Sequence, residues 1–219
     1  MKNNIVSVLL WGKEICKLKW EGGYRQKFGK VGSLISFNPE YHSFGFDVDP
    51  VGFYNHSTYL VQKGMSDICH ANEYNGIPRF LSSSLPDDWG NEVFSLWIEK
   101  NGLRSHDLTP VDKLAFIGRR GMGAFEFVPQ LYDPRSDEAI ALEDLYGLAK
   151  EIESMREGVS INIQDRPEIN DLMAVGMSAG GKHPKAIVAI NWSTGEVRSG
   201  QFILPNDFTQ YILKFKDSD

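Results

Sequence analysis

Ile5-Val6-Ser7-Val8-Leu9-Leu10-Trp11-Gly12-Lys13-Glu14-Ile15-Cys16-Lys17-Leu18-Lys19-Trp20 sets two strand-length runs, Ile5–Trp11 and Lys13–Trp20, on either side of a glycine. Glycine takes the positive φ of a tight hairpin without steric cost, so Gly12 reads as the turn. A third run, Val31–Phe37, follows a second turn at Gly22-Gly23. Glycines at 12, 22, 23, 29, 32, 45, 52 and 64 punctuate this region, which predicts a meander of short antiparallel strands whose edges need cover from helices.

Helices are marked next by their caps. Asp87 or Asp88 caps a helix with Trp89, Val93, Leu96 and Trp97 on one face, and Asn101-Gly102 ends it. Thr109-Pro110 supplies a cap followed by a proline in the first turn, Asp112 favours the positive end, and Gly118 stops the segment. From about Asp137 to Glu157, Leu142, Leu145, Leu148 or Ala149, Ile152 and Met155 recur at three and four residues, with Gly158 as the stop. A shorter helix after Asp165-Arg166-Pro167 carries Ile169, Leu172 and Met173 before Gly176.

The pattern then returns to strands: Ala186–Asn191 and Gln201–Leu204 around a Ser193-Thr194-Gly195 turn, then Gln210–Phe215. The change of character near residue 160 divides the chain into 1–158 and 159–219. No internal repeat and no Pro/Ser-rich linker separates the two parts, so the boundary is expected to be packed.

Composition narrows the function classes. The 219 residues are 42% hydrophobic and 24% charged, which excludes a disordered or low-complexity chain. Twenty-three Lys+Arg against 29 Asp+Glu leave a net charge of −6, which repels a polyphosphate backbone and argues against direct nucleic-acid binding. Ile5–Trp11 is too short to span a membrane and runs into Lys13-Glu14 rather than a cleavage site, so neither membrane nor signal peptide is expected. Cys16 and Cys69 lack CxxC spacing, which points to a reducing, cytoplasmic setting. Histidines 42, 56, 70, 106 and 183 have no metal-ligand spacing, and no metal site is expected.

Ser178-Ala179-Gly180-Gly181-Lys182-His183-Pro184-Lys185 is the segment most suggestive of chemistry. Small side chains let backbone N–H groups approach phosphate oxygens, and the two lysines can neutralise them. The segment does not match GxxxxGK[ST], so it is either an anion cradle or an ordinary connection into a strand. Lys214, among apolar neighbours in Tyr211-Ile212-Leu213-Lys214-Phe215, either reaches nucleotide phosphates from beneath that loop or marks a solvent face. Leu85-Pro86-Asp87-Asp88-Trp89-Gly90 is satisfied as a turn and a capped helix with no ligand. Arg119-Arg120-Gly121-Met122-Gly123 either binds an anion or links a helix to a Phe125–Phe127 strand.

Together these blocks resemble the N-terminal half of a HipA-like serine/threonine kinase, the toxin of bacterial toxin–antitoxin persistence modules. Gly76-Ile77-Pro78 to Phe80 with Ser84–Gly90, then Leu114–Ala124 with Glu126-Phe127, then Ser178–Gly181 with Pro184-Lys185-Ala186, occur in the family's order. The resemblance implies an α+β fold: an N-terminal antiparallel, partly barrel-like sheet with helices, followed by the start of a kinase-like small-lobe antiparallel sheet. It implies that Ser178, Ala179, Gly180, Gly181, Lys182, His183, Pro184 and Lys185 lie over ATP, that Ser178 sits near a regulatory autophosphorylation position, and that Lys214 contacts phosphate.

Mg²⁺ ligands and the catalytic aspartate belong, in the family, to a C-terminal lobe that would continue beyond Lys214. No HRD-like or DFG-like segment lies within residues 1–219. The chain is therefore expected to bind nucleotide and dock partners without catalysing transfer alone. The implied partners are a DNA-binding antitoxin or a complementary kinase lobe, and a protein substrate at full length. The competing reading is a non-catalytic interaction module that binds such a partner without nucleotide.

Overall fold

A computed structural model describes residues 5–21, 32–45, 67–70, 74–134, 139–155, 166–176 and 181–215. Its strands are β1 Ile5–Leu10, β2 Lys13–Glu21, β3 Gly32–Phe37, β4 Asp67–His70, β5 Phe125–Val128, β6 Lys185–Asn191, β7 Glu196–Ser199 and β8 Thr209–Lys214. Its helices are α1 Arg79–Ser82, α2 Asp88–Lys100, α3 Pro110–Ile117, α4 Leu142–Met155 and α5 Glu168–Val175. Two compact units emerge, one of Met1–Leu85, Leu108–Arg119 and Gly123–Tyr132, the other of Pro86–Asp107, Arg120–Met122 and Asp133–Asp219.

The first unit is built on a sheet of order β4-β3-β2-β1-β5 with every pairing antiparallel. Trp11 (φ 51°) and Gly12 (φ 75°) form the two-residue hairpin turn between Leu10 and Lys13, the conformation that matches strand twist. Cross-strand pairing sets Val6 opposite Leu18, Val8 opposite Cys16 and Phe127, and Leu18 opposite Ile35, and all six are buried. Among the described residues β4 and β5 do not pair, so the sheet is open rather than closed into a barrel.

Helix α3 packs on β1, β2 and β5 of this unit. Its start is a full capping box: Thr109 Oγ1 accepts from the Asp112 amide and Asp112 Oδ2 accepts from the Thr109 amide at 2.8 Å, with Pro110 behind the cap. Val111, Leu114, Ala115, Phe116 and Ile117 are buried. The helix stops at Gly118, as the sequence predicts.

In the second unit, α5 packs against α2, α4, β6 and β7. The sheet order is β7-β6-β8, again antiparallel, and all seven residues of β6 are buried. Ala186, Val188 and Ile190 alternate with Lys185, Ile187 and Ala189, so the two sets face opposite sides. Ser199, opposite Val188, donates its hydroxyl to the Ala174 carbonyl of α5, which identifies the Val188 side as the helix-covered face.

Two expectations are corrected here. Gln201–Leu204 is not a strand. Asn191 Oδ1 accepts from the Ser193 and Thr194 amides, so the reversal is tight, and pairing resumes at Glu196 and ends at Ser199. The helix expected from Asp137 begins at Leu142, because the Ile140 amide donates to the Val197 carbonyl and Ala141 accepts the first helical bond. Gly158, Asp165 and the Gly22-Gly23 turn lie outside the described residues.

Candidate functional site

Lys185 opens β6, and pairing places it directly opposite Lys214 on β8. Opposite residues in an antiparallel pair share a face, so Lys185 and Lys214 stand on the same side of the sheet, while Lys182 lies in the preceding loop. Ile187 opposite Ile212 and Ala189 opposite Gln210 continue the same face. Lys214 is exposed, whereas Lys185 is only 6% exposed.

The Lys185 ammonium is an unusual group of the unit. Its Nζ is buried with no hydrogen-bond partner among the described residues. Burial pushes the amine below its ordinary range, Lys214 adds to that effect, and the Asp87 carboxylate opposes it. A buried amine without hydrogen bonds among the described residues is costly to charge, and amines perturbed in this way are enriched at functional sites. Gly181 lies above it with φ +107°, and a Cβ there would come 3.3 Å from Lys185 Nζ. The glycine therefore leaves room at the lysine that a side chain would take.

Of the remaining loop residues, Lys182 and His183 are exposed, with His183 Nδ1 4.0 Å from Glu153 Oε1. Pro184 is buried and its carbonyl accepts from the Phe215 amide at 3.0 Å, extending the β6–β8 ladder by one residue. Ser178, Ala179 and Gly180 lie outside the described residues.

Helix α2 begins beside this lysine. Asp87 Oδ1 caps the helix by accepting from the Gly90 amide at 2.7 Å. The Trp89 indole Nε1 donates to the Lys185 carbonyl at 2.9 Å across 96 residues of sequence. Strand β7 reaches only as far as Val188, and the indole supplies the bond that β7 does not. Sequence reasoning accounted for Asp87 and Trp89 by capping and core packing alone, and no local signal connects either to Lys185.

Farther along the lysine-bearing face is a cleft of about 420 Å³ whose lining includes Ile187, Ile212, Met122, Phe202, Gln210 and Arg120. Ile203, Met122 and Ile212 are exposed apolar side chains there. Arg120 is itself buried and donates from Nη1 to the Met173 carbonyl at 2.6 Å. The arrangement offers an apolar slot next to a pair of ammonium groups, which suits a ligand with a flat apolar part and an anionic part. Among the described residues no three His, Cys, Asp or Glu side chains converge as metal ligands, and no helix is long and apolar enough to cross a membrane.

An open antiparallel sheet with one capped helix packed on it defines the first unit, and the family model described as HipA N-terminal domain matches the chain over residues 6–128. The chain belongs to that family. The matched span includes the 85–90 and 114–127 blocks and ends before the 178–185 loop and Lys214. No curated protein and no solved structure matches the chain.

Proposed function

We propose that this chain is the nucleotide-binding and partner-docking part of a HipA-like serine/threonine kinase toxin. The observation that supports it most is the buried Lys185 ammonium, unpartnered among the described residues, beneath Gly181, opposite Lys214 and on the same sheet face as an apolar cleft. In this reading the phosphates of ATP lie against the 178–185 loop, Lys185 and Lys214, and the adenine occupies the cleft between Ile187, Ile212 and Met122. Lysine ammoniums neutralise phosphate charge and orient it, which is the main protein contribution in phosphoryl transfer. ATP with Mg²⁺ supplies the transferable phosphoryl group.

Ser178, at the head of the loop, is the proposed autophosphorylation position. The residues that hold Mg²⁺ and position the acceptor hydroxyl are assigned to a further lobe. That lobe or a DNA-binding antitoxin is the proposed partner, in the cytoplasm. With a net charge of −6, operator contact falls to the antitoxin. The exposed apolar side chains Ile203, Ile212 and Met122 favour a second reading, an interaction module whose sheet face docks a partner and uses no nucleotide.

The test is the thermal midpoint of the purified chain with and without Mg-ATP. Ligand that binds the native state raises the midpoint by mass action. The nucleotide reading expects a rise in the wild type that disappears in Lys214→Ala and in Lys182→Ala with Lys185→Ala. An unchanged wild-type midpoint at millimolar Mg-ATP overturns it in favour of the docking module.

A further inference from the structure

We propose that Asp87 is a positioning residue of the loop lysine, so that the Pro86–Gly90 turn serves the phosphate site as well as the helix it caps. The inference rests on the nucleotide reading above, and its first support is how Asp87 divides its carboxylate. Oδ1 accepts from the Gly90 amide, while Oδ2 is buried with no hydrogen-bond partner among the described residues. Capping needs one acceptor oxygen, which Asn or Ser supplies equally well. The second oxygen and the negative charge are surplus to the cap.

Lys185 is the cation on which that surplus charge acts at longer range, the two groups forming no hydrogen bond with each other. Its ammonium is buried and also lacks a hydrogen-bond partner among the described residues, and two charged groups act on it: Asp87 from the cap of α2, which favours the charged amine, and Lys214 from β8, which disfavours it. The Trp89–Lys185 bond anchors the first turn of α2 to the strand residue that carries this amine. Asp87, two residues before Trp89, is thereby held at a set place relative to Lys185. One carboxylate against two ammoniums leaves a single excess positive charge, the complement of an anionic phosphate. Without Asp87, Lys185 would lose its opposing charge while keeping its burial and its like-charged neighbour, and would give up its proton more readily.

Asp87→Asn separates the two roles, because the amide oxygen keeps the cap and the charge is gone. Using the full 219-residue chain, the titration midpoint of Lys185 is read by NMR of ¹³Cε-labelled lysine, with the resonance assigned through Lys185→Arg. Affinities for ATP and for inorganic tripolyphosphate are measured by calorimetry at pH 7.5 and 9.5. The expected result is a lower Lys185 midpoint in Asp87→Asn. The loss of affinity relative to wild type should be greater at pH 9.5 than at pH 7.5, because the variant amine gives up its proton at lower pH, with a thermal midpoint close to wild type. An unmoved Lys185 midpoint overturns the proposal, as does a lowered midpoint with an affinity equal to that of wild type at both pH values. A wild-type chain that binds neither ligand overturns the nucleotide reading instead, and the Lys185 midpoint then decides the role of Asp87 alone.

Discussion

Replacing Trp89 by Phe tests whether the first turn of α2 holds the start of β6. The indole is fully buried and its Nε1 donates at 2.9 Å to the Lys185 carbonyl. The neighbouring Pro184 carbonyl bonds Phe215 on β8, so by the alternation of an antiparallel ladder the Lys185 carbonyl points to the other side, beyond the end of β7. Phe keeps an aromatic ring and loses the donor. Leaving a buried carbonyl unsatisfied costs about 1–3 kcal/mol, and the smaller ring adds about 1 kcal/mol for the space left behind. The expected loss is about 2–4 kcal/mol, read from urea unfolding followed by far-ultraviolet circular dichroism.

Trp192→Phe is the control, because Trp192 is 71% exposed and bonds only the exposed Tyr211 hydroxyl among the interactions described. It should cost less than about 0.5 kcal/mol. If Trp89→Phe were as mild as Trp192→Phe, the indole would not be the tie between α2 and β6. The same variant should weaken ATP binding if the nucleotide reading holds, since the lysine-bearing residue loses its anchor.

Two further outcomes follow from the same unit. Gly200→Ala should destabilise by about 1–3 kcal/mol, because the new Cβ would lie 2.6 Å from the Val188 carbonyl oxygen; Gly147→Ala, in helix α4 with nothing within 4 Å, should stabilise by about 0.5–1 kcal/mol, and equal effects in urea unfolding would refute the packing argument. Burial holds the Lys185 amine below the ordinary lysine value of 10.5, so between its folded value and 10.5 the unfolded chain binds more protons and stability rises with pH. Lys185→Met removes that contribution, and wild-type stability measured across this range should therefore gain on the variant as pH rises; a constant difference would refute the depressed amine.

Most of the element pattern was legible because it is locally encoded. Asp87 and Thr109 announce α2 and α3 by satisfying amides three residues away, Gly118 and Gly176 end their helices, and Gly12 marks the first hairpin. Hydrogen bonds across three or four residues need no knowledge of the rest of the chain. Where the reading departed from the structure, a distant partner intervened. Ile140 is drawn out of the helix by the Val197 carbonyl, and the strand placed at Gln201–Leu204 ends earlier because pairing with β6 resumes directly after the Asn191 turn.

The sequence by itself therefore determined the antiparallel α+β character and the helix caps, since these depend on residue type and short spacing. Tertiary structure alone decided that Lys185 is buried while Lys214 is exposed, that the two stand opposite each other, and that Asp87 and Trp89 belong beside them. Those facts depend on strand register and on a hydrogen bond spanning 96 residues. A shift of one residue in the β6–β8 pairing would turn one lysine to the other face of the sheet, and no local pattern of residues encodes that register.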